Sequence, residues 1–253
     1  MDWRLIEQQA YSAPINMAIE QAIYESVANG REFPTIRFYK WSNNSVSIGA
    51  YQNSKEINLD ACKKHKIEVV RRMTGGRAVF HDKLDFTYSV IAPIRVFGYR
   101  IDNAYKEICS WLINALSEFG INASLENKND LIVNDKKISG NAAKLMDKGV
   151  YLQHGTLIYG IDFEIMPEIL NIPKDLAKEK ITSVLQHKKI SQNKVYETLK
   201  NNFTENKEFR TEELSKFELM RAEDLAKTKY NSVMLPTGTL VKNKGACYVE
   251  RGG

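Results

Sequence analysis

Residues 71–82, Arg71-Arg72-Met73-Thr74-Gly75-Gly76-Arg77-Ala78-Val79-Phe80-His81-Asp82, hold the densest set of chemically capable groups in the chain. Two arginines precede a paired glycine, directly after Glu68-Val69-Val70, an order that predicts a strand, a tight turn and a second strand. Glycine reaches backbone angles closed to other residues, so Gly75 and Gly76 let main-chain N–H groups converge on a ligand. A guanidinium adds a planar fork that grips phosphate or carboxylate at two points. Together they suit a small anionic ligand held against the backbone. A lone Gly-Gly is equally a hairpin turn, and the segment lacks both the Lys-Ser/Thr of a Walker loop and the third glycine of a dinucleotide fingerprint. Arg72, Arg77 and His81 around it direct the reading toward a ligand.

Lys137 is the second candidate. It lies on a predicted strand beside the small residues Ser139-Gly140-Asn141-Ala142. Strand side chains alternate, so Lys136 and Lys137 point to opposite faces and one of them points inward. An inward ammonium needs an anionic partner, which a ligand phosphate or carboxylate can supply. Asn129-Asp130 reads as turn chemistry or, next to a nucleotide, as a carboxylate able to hold Mg²⁺. His154-Gly155 reads as a structural histidine or a site lining, and no Ser-His-Asp arrangement follows from the spacing.

The elements that must position these groups alternate between strand and helix. Strands are predicted at Trp3 to Ile6, Thr35 to Lys40, Ser45 to Gly49, 67–70, Ala78 to Phe80, Asp85 to Ile91 and Val150 to Tyr159. The second and third read as a pair joined by Ser42-Asn43-Asn44, and Leu131-Ile132-Val133 with Lys137-Ile138-Ser139-Gly140 reads as a hairpin turning at Asn134-Asp135. Apolar stripes of helical period predict helices over Asn16 to Ala28 and from Asp102 or Asn103 to Phe119, with a short one at Leu59 to Lys66. Further helices are predicted at 164–171, 191–203 and 211–228, and the last twenty residues read as a tail or hairpin.

The chain of 253 residues is 43% hydrophobic and 10% aromatic, enough to fill a core. Its net charge of +5 is spread in pairs such as Lys63-Lys64 and Lys188-Lys189, not gathered in the stripe a nucleic-acid binder needs. Cys62, Cys109 and Cys247 are widely spaced and form no zinc pattern, with Cys109 expected as core filler. The opening residues carry no apolar run and no segment reaches the roughly 18 apolar residues of a membrane span. The expectation is a soluble cytoplasmic protein that binds neither nucleic acid nor membrane.

Five blocks in order then resemble the lipoate–protein ligase family, relatives of biotin protein ligases and octanoyltransferases: the 71–82 segment, Asn129-Asp130-Leu131, Lys137-x-Ser139-Gly140-Asn141-Ala142, His154-Gly155-Thr156 and Ile181-Thr182-Ser183-Val184. The resemblance implies an α/β (α+β) class II synthetase-like catalytic domain over 1–190, a mixed sheet flanked by helices, with 191–253 a helical extension and tail. It implies an ATP-dependent ligase that makes lipoyl-AMP from lipoate and ATP with Mg²⁺, then acylates a lysine of a lipoyl-domain protein such as glycine cleavage H protein or a 2-oxoacid dehydrogenase E2. Carried over by motif, Arg72, Gly75, Gly76, Arg77, Ala78, Val79 and Phe80 hold the adenylate, Lys137 bridges the acyl carbonyl oxygen and the α-phosphate, Asp130 orients Mg²⁺, and His154 and Gly155 line the acyl pocket. A fixed ammonium suits that task, because both half-reactions build negative charge on those oxygens. Two departures stand out. Arg77 replaces the family's third glycine, as in the Thr-Gly-Gly-Arg of the octanoyltransferase branch, which moves the acyl chain between carrier proteins without ATP through a cysteine. Residues 120–136 contain no cysteine and none follows His154 until Cys247, and the ligase reading is therefore placed first. No complete accessory domain follows residue 190, so a separate accessory ligase subunit is the other expectation.

Overall fold

The computed structural model describes residues 2–126, 129–234 and 240–242. Its framework is an eight-stranded mixed sheet in the order β11-β1-β2-β6-β10-β9-β8-β7. The strands are β1 (Trp3–Tyr11), β2 (Thr35–Trp41), β6 (Phe86–Pro93), β7 (Ser124–Glu126), β8 (Asp130–Val133), β9 (Lys136–Leu145), β10 (Val150–Leu157) and β11 (Phe209–Thr211). β1 runs parallel to both of its neighbours, and the pairs from β2 to β7 are antiparallel. A second sheet of β3 (Ser45–Ile48), β4 (Glu68–Arg71) and β5 (Val79–His81) has β3 in the middle.

Both faces of the large sheet are covered, which is why β6 and β10 are buried along almost their whole length. On one face α3 (Ile101–Ser117) and α7 (Gln192–Thr204) pack over Phe38, Tyr88 and Val90. Phe203 of α7 sits at the centre of that layer, edge-on to Phe38, Tyr88 and Trp111 at centroid distances of 5.2, 4.7 and 5.4 Å. On the other face α1 (Ala13–Ala28) and α8 (Lys216–Leu225) cover Tyr39, Ile91 and Leu152. Arg4 of β1 is fully buried and bonded to both oxygens of Glu218 on α8 at 2.9 and 2.6 Å. The small sheet has its own core with α2 (Leu59–Lys64), α4 (Ile165–Leu170) and α5 (Lys174–Lys180). Among the described residues no helix is long and apolar enough to cross a membrane.

Helix and strand types follow the hydrophobic periods, with two differences of pairing. β2 and β3 do not form a hairpin; Ser42-Asn43-Asn44 instead passes the chain from the large sheet to the small one. β4 and β5 do not pair with each other either, since each flanks β3, parallel and antiparallel respectively. The helix expected over 211–228 begins at Lys216, after a capping box of Ser215 and Glu218, because 209–211 adds an edge strand too short to carry a period. Of the tail, Ser232–Met234 pairs with Leu240–Lys242, and Cys247 lies outside the described residues.

Phe203→Ala removes the ring shared by those edge-on contacts, and a loss of about 3–5 kcal/mol in urea denaturation is expected; a loss under about 1 kcal/mol contradicts this packing.

Candidate functional site

Because β3 separates β4 from β5, residues 72–78 must cross over the end of β3 instead of folding back on themselves. The crossing is close. A Cβ on Gly49, just past β3, would stand 1.9 Å from the carbonyl oxygen of Gly76. Gly76 itself has φ +93°, a conformation that side chains rarely adopt, whereas Gly75 has no positive φ. Arg72 lies beneath the loop, only 6% exposed. Its Nε donates to Thr74 Oγ1 at 3.2 Å, one terminal nitrogen to the carbonyl and hydroxyl oxygens of Ser47 at 2.9 and 3.3 Å, and the other to the carbonyls of Gly75 and Arg77 at 2.7 and 2.9 Å. All five N–H groups of the guanidinium are thus committed to protein oxygens. Burial pushes its pKa down to about 10, against the pull of Glu20, and the group stays charged at neutral pH. The Arg77 side chain is exposed.

Lys137 faces the loop from β9. The β8–β9 ladder pairs Ile132 with Lys137 but Leu131 with Ser139, so one extra residue is accommodated on β9. That bulge puts Lys137 and Gly140 on one face. The lysine side chain lies across Gly140, where a Cβ would stand 2.8 Å from both Cε and Nζ. Its ammonium meets Asp130 Oδ1 at 2.8 Å, with side chains 32% and 22% exposed. The anionic partner required by an inward lysine is therefore supplied by the chain itself. Lys136 points away, to the carbonyl of Lys178 at 2.8 Å. The same Asp130 oxygen accepts from the Asn129 amide at 3.2 Å. Among the described residues no three His, Cys, Asp or Glu groups converge as a metal-ligand cluster, and Asp130, where Mg²⁺ was expected, is engaged by Lys137 and Asn129.

Between loop and lysine lies a cavity of about 570 Å³, within the range of small-molecule sites. Arg72, Gly76, Arg77, Ala78, Val79, Phe80, Asp130, Lys137, His154 and Gly155 all line it. Gly75 does not; it borders a neighbouring cleft that meets the cavity at Gly76, Asn129, Asn141 and Ala142. The floor is one row across the sheet, Tyr39, Thr87, Thr156, Gly140 and Asp130, each paired with the next on adjoining strands. Met17, Trp41, Ser47, Ile158, Met166 and Leu170 are among the other lining residues and were not singled out as such by sequence reasoning.

Neither histidine of the cavity has a free ring nitrogen. His81 lies between Ser47 Oγ (2.8 Å) and Thr156 Oγ1 (3.2 Å), stacked on Trp41 at 4.1 Å. Burial, then the Arg72 charge, holds its pKa well below the usual value, so it is neutral. His154 lies between Thr74 and Glu20. Glu20 is the buried residue most plainly missed. Its signal was present, since a glutamate sits on the apolar stripe of α1, three residues from Met17 and three from Ile23. The described thiols stand apart from the cavity: Cys62 is in the small-sheet core and Cys109 in the α3 core, and burial pushes their pKa values up to about 11 and about 12.

The family pattern described as lipoyl protein ligase A/B catalytic domain matches residues 12–204. Octanoyltransferase LipM of Brevibacillus brevis is 32% identical, over 76% of this chain and 79% of its own. Octanoyltransferase LipM of Clostridioides difficile is 34% identical, over 70% and 73%. A crystal structure of lipoate-protein ligase A bound with ATP superposes with a TM-score of 0.84 at 28% identity, covering 94% of this chain and 99% of that one. The fold expected from the sequence is thereby shown. The activity placed first is not: relatives at 32–34% identity are octanoyltransferases, which overturns the ATP-dependent ligase reading in favour of its alternative.

Two outcomes are expected. Gly49→Ala forces Gly76 out of place and lowers both ligand binding and the melting temperature; a variant with unchanged binding and melting contradicts the crossing geometry. Iodoacetamide at pH 8 labels Cys62 and Cys109 only in denaturant, because a buried thiol that high in pKa carries little thiolate. Labelling of either in the native protein contradicts their burial.

Proposed function

The chain belongs to the lipoyl protein ligase A/B catalytic-domain family, and we propose that it is an octanoyltransferase, moving an eight-carbon acyl chain from a carrier-protein thioester to a lysine of a lipoyl-domain protein without ATP. The observation that carries this reading is the octanoyltransferase name of relatives over 30% identical across most of the chain. The cavity suits the cargo. Its floor crosses from β9 to β2, three strand spacings or roughly 14 Å, and an extended eight-carbon chain is on the order of 10 Å by bond lengths near 1.5 Å.

The chemistry assigned to this chain's residues is charge stabilisation. The acceptor amine adds to the thioester carbonyl carbon and negative charge moves onto the carbonyl oxygen. The C–S bond then breaks, and the proton shed by the amine ends on the carrier's sulfur. Lys137 is a charged donor lining the cavity, and the loop around Gly76 supplies main-chain N–H groups; both are assigned to the developing oxyanion. Asp130 holds the ammonium ready until the carbonyl arrives. Cys62 and Cys109 are unsuited to carrying the acyl group, so direct attack by the acceptor amine is the route that the described residues support. Lipoyl-domain proteins, among them glycine cleavage H protein and 2-oxoacid dehydrogenase E2, are the acceptors proposed, in a cytoplasmic setting.

Octanoyl-carrier protein incubated with a lipoyl domain and no ATP is expected to yield the octanoyl-lysine acceptor by mass. Lys137→Ala lowers the rate by about 10²–10³ with an unchanged melting curve, and Cys247→Ser retains transfer. Product formed only with ATP rules out the transferase; an acyl group trapped on Cys247 rules out the direct route.

A further inference from the structure

Behind the cavity a chain of buried hydrogen bonds ties α1 to the glycine loop. Glu20 is fully buried, with its two oxygens 2.9 and 3.0 Å from His154 Nδ1. His154 Nε2 lies 2.7 Å from Thr74 Oγ1, which is itself fully buried and accepts from Arg72 Nε at 3.2 Å. Glu20 does not line the cavity, although His154 and Arg72 do.

The direction of this chain follows from counting protons. A carboxylate only accepts, so His154 Nδ1 carries a proton and donates it to Glu20. The Nε–H of arginine only donates, so Thr74 Oγ accepts from Arg72 and has its own hydroxyl proton left to give. His154 Nε2 is the acceptor it meets. A second proton on the ring would leave the threonine hydroxyl proton facing another donor in a buried place, at the cost of a lost hydrogen bond. The ring is therefore neutral, protonated at Nδ1, and has no nitrogen available for proton transfer in the cavity.

We propose that Glu20 is a positioning residue for acyl transfer: by fixing this one tautomer of His154 it aims Thr74 at Arg72 and sets the plane in which the guanidinium holds the glycine loop. Without the carboxylate the ring takes either tautomer. When Nε2 carries the proton, Thr74 must turn its hydroxyl proton away from the ring, and its oxygen is then shared between two donors, the ring and Arg72 Nε, which weakens the hold on the guanidinium. The remaining four N–H groups then hold the carbonyls of Ser47, Gly75 and Arg77 less tightly. Loop N–H groups aimed at a developing oxyanion are more sensitive to such slack than an alkyl chain lying on the sheet. The expected loss therefore falls on kcat and spares KM.

For its kinetic consequence this inference rests on the transferase reading; the tautomer does not. The imidazole ¹⁵N spectrum of the free protein at neutral pH is expected to show His154 as a single Nδ1–H tautomer, and Glu20→Gln as a mixture with a cooperative melt retained. In octanoyl transfer Glu20→Gln is expected to lose about tenfold or more in kcat with the donor KM within about twofold. Thr74→Ser keeps the rate, Thr74→Val loses it, and the double variant Glu20→Gln/Thr74→Val is no worse than Thr74→Val alone, because both act through one chain. A doubly protonated or Nε2–H ring in the wild type overturns the proposal, as do an unchanged kcat in Glu20→Gln or losses that multiply in the double variant. A wild type inactive without ATP removes the transferase reading, and the ring spectrum still decides the hydrogen-bond chain.

Discussion

The site depends on one buried cation whose every donor is used internally. Arg72 stands under a loop that must cross the end of β3, and it ties that loop to Ser47 on one side and to Gly75 and Arg77 on the other. Taking a guanidinium out of water is costly, and only a full set of acceptors makes it tolerable. The same set removes the loop's freedom. A turn that carries Gly76 at positive φ against Gly49 would otherwise sample many conformations. The arginine's N–H groups are spent on the protein, so what it shapes directly is the backbone of the loop.

Lys137 has the opposite character. Its side chain is one-third exposed and its ammonium is held by a carboxylate on a side chain that is itself partly open to water, so the pair is accessible to a ligand oxygen. A rigid loop facing a movable point charge suits a reaction in which charge appears on the carbonyl oxygen and then leaves it. Below them the sheet contributes a floor whose hydroxyls, Thr87 and Thr156, are engaged with each other, Trp41 and His81. Their polarity is satisfied within the protein.

Much of this was legible in the sequence because it is local. Periodicities of two and 3.6 placed the strands and helices, and the short blocks around Gly76, Lys137 and His154 each carried a residue that the fold turns to one cavity. What the sequence hid is nonlocal. Nothing in residues 67–81 says that β3 lies between their two strands, so a crossing reads as a hairpin. The bulge that puts Lys137 above Gly140 is a matter of register between strands. Asp130 as partner of that lysine follows from the same pairing. The reaction was the hardest part to read, for a chemical reason. An acyl-adenylate and an acyl-thioester build charge on the same carbonyl oxygen, so the groups that stabilise one stabilise the other. Arg77 in Thr-Gly-Gly-Arg pointed to the transferase branch, and the missing cysteine near Lys137 outweighed it.

The most direct measurement is a crystal structure of the protein with a nonhydrolysable ketone analogue of an octanoyl thioester. The expected complex has the alkyl chain across Thr156 and Thr87, Lys137 Nζ within about 2.7–3.1 Å of the carbonyl oxygen, and the Arg72-held loop unmoved. A chain bound elsewhere, with the ammonium still closed on Asp130, contradicts the assignment of this cavity and this lysine to acyl transfer.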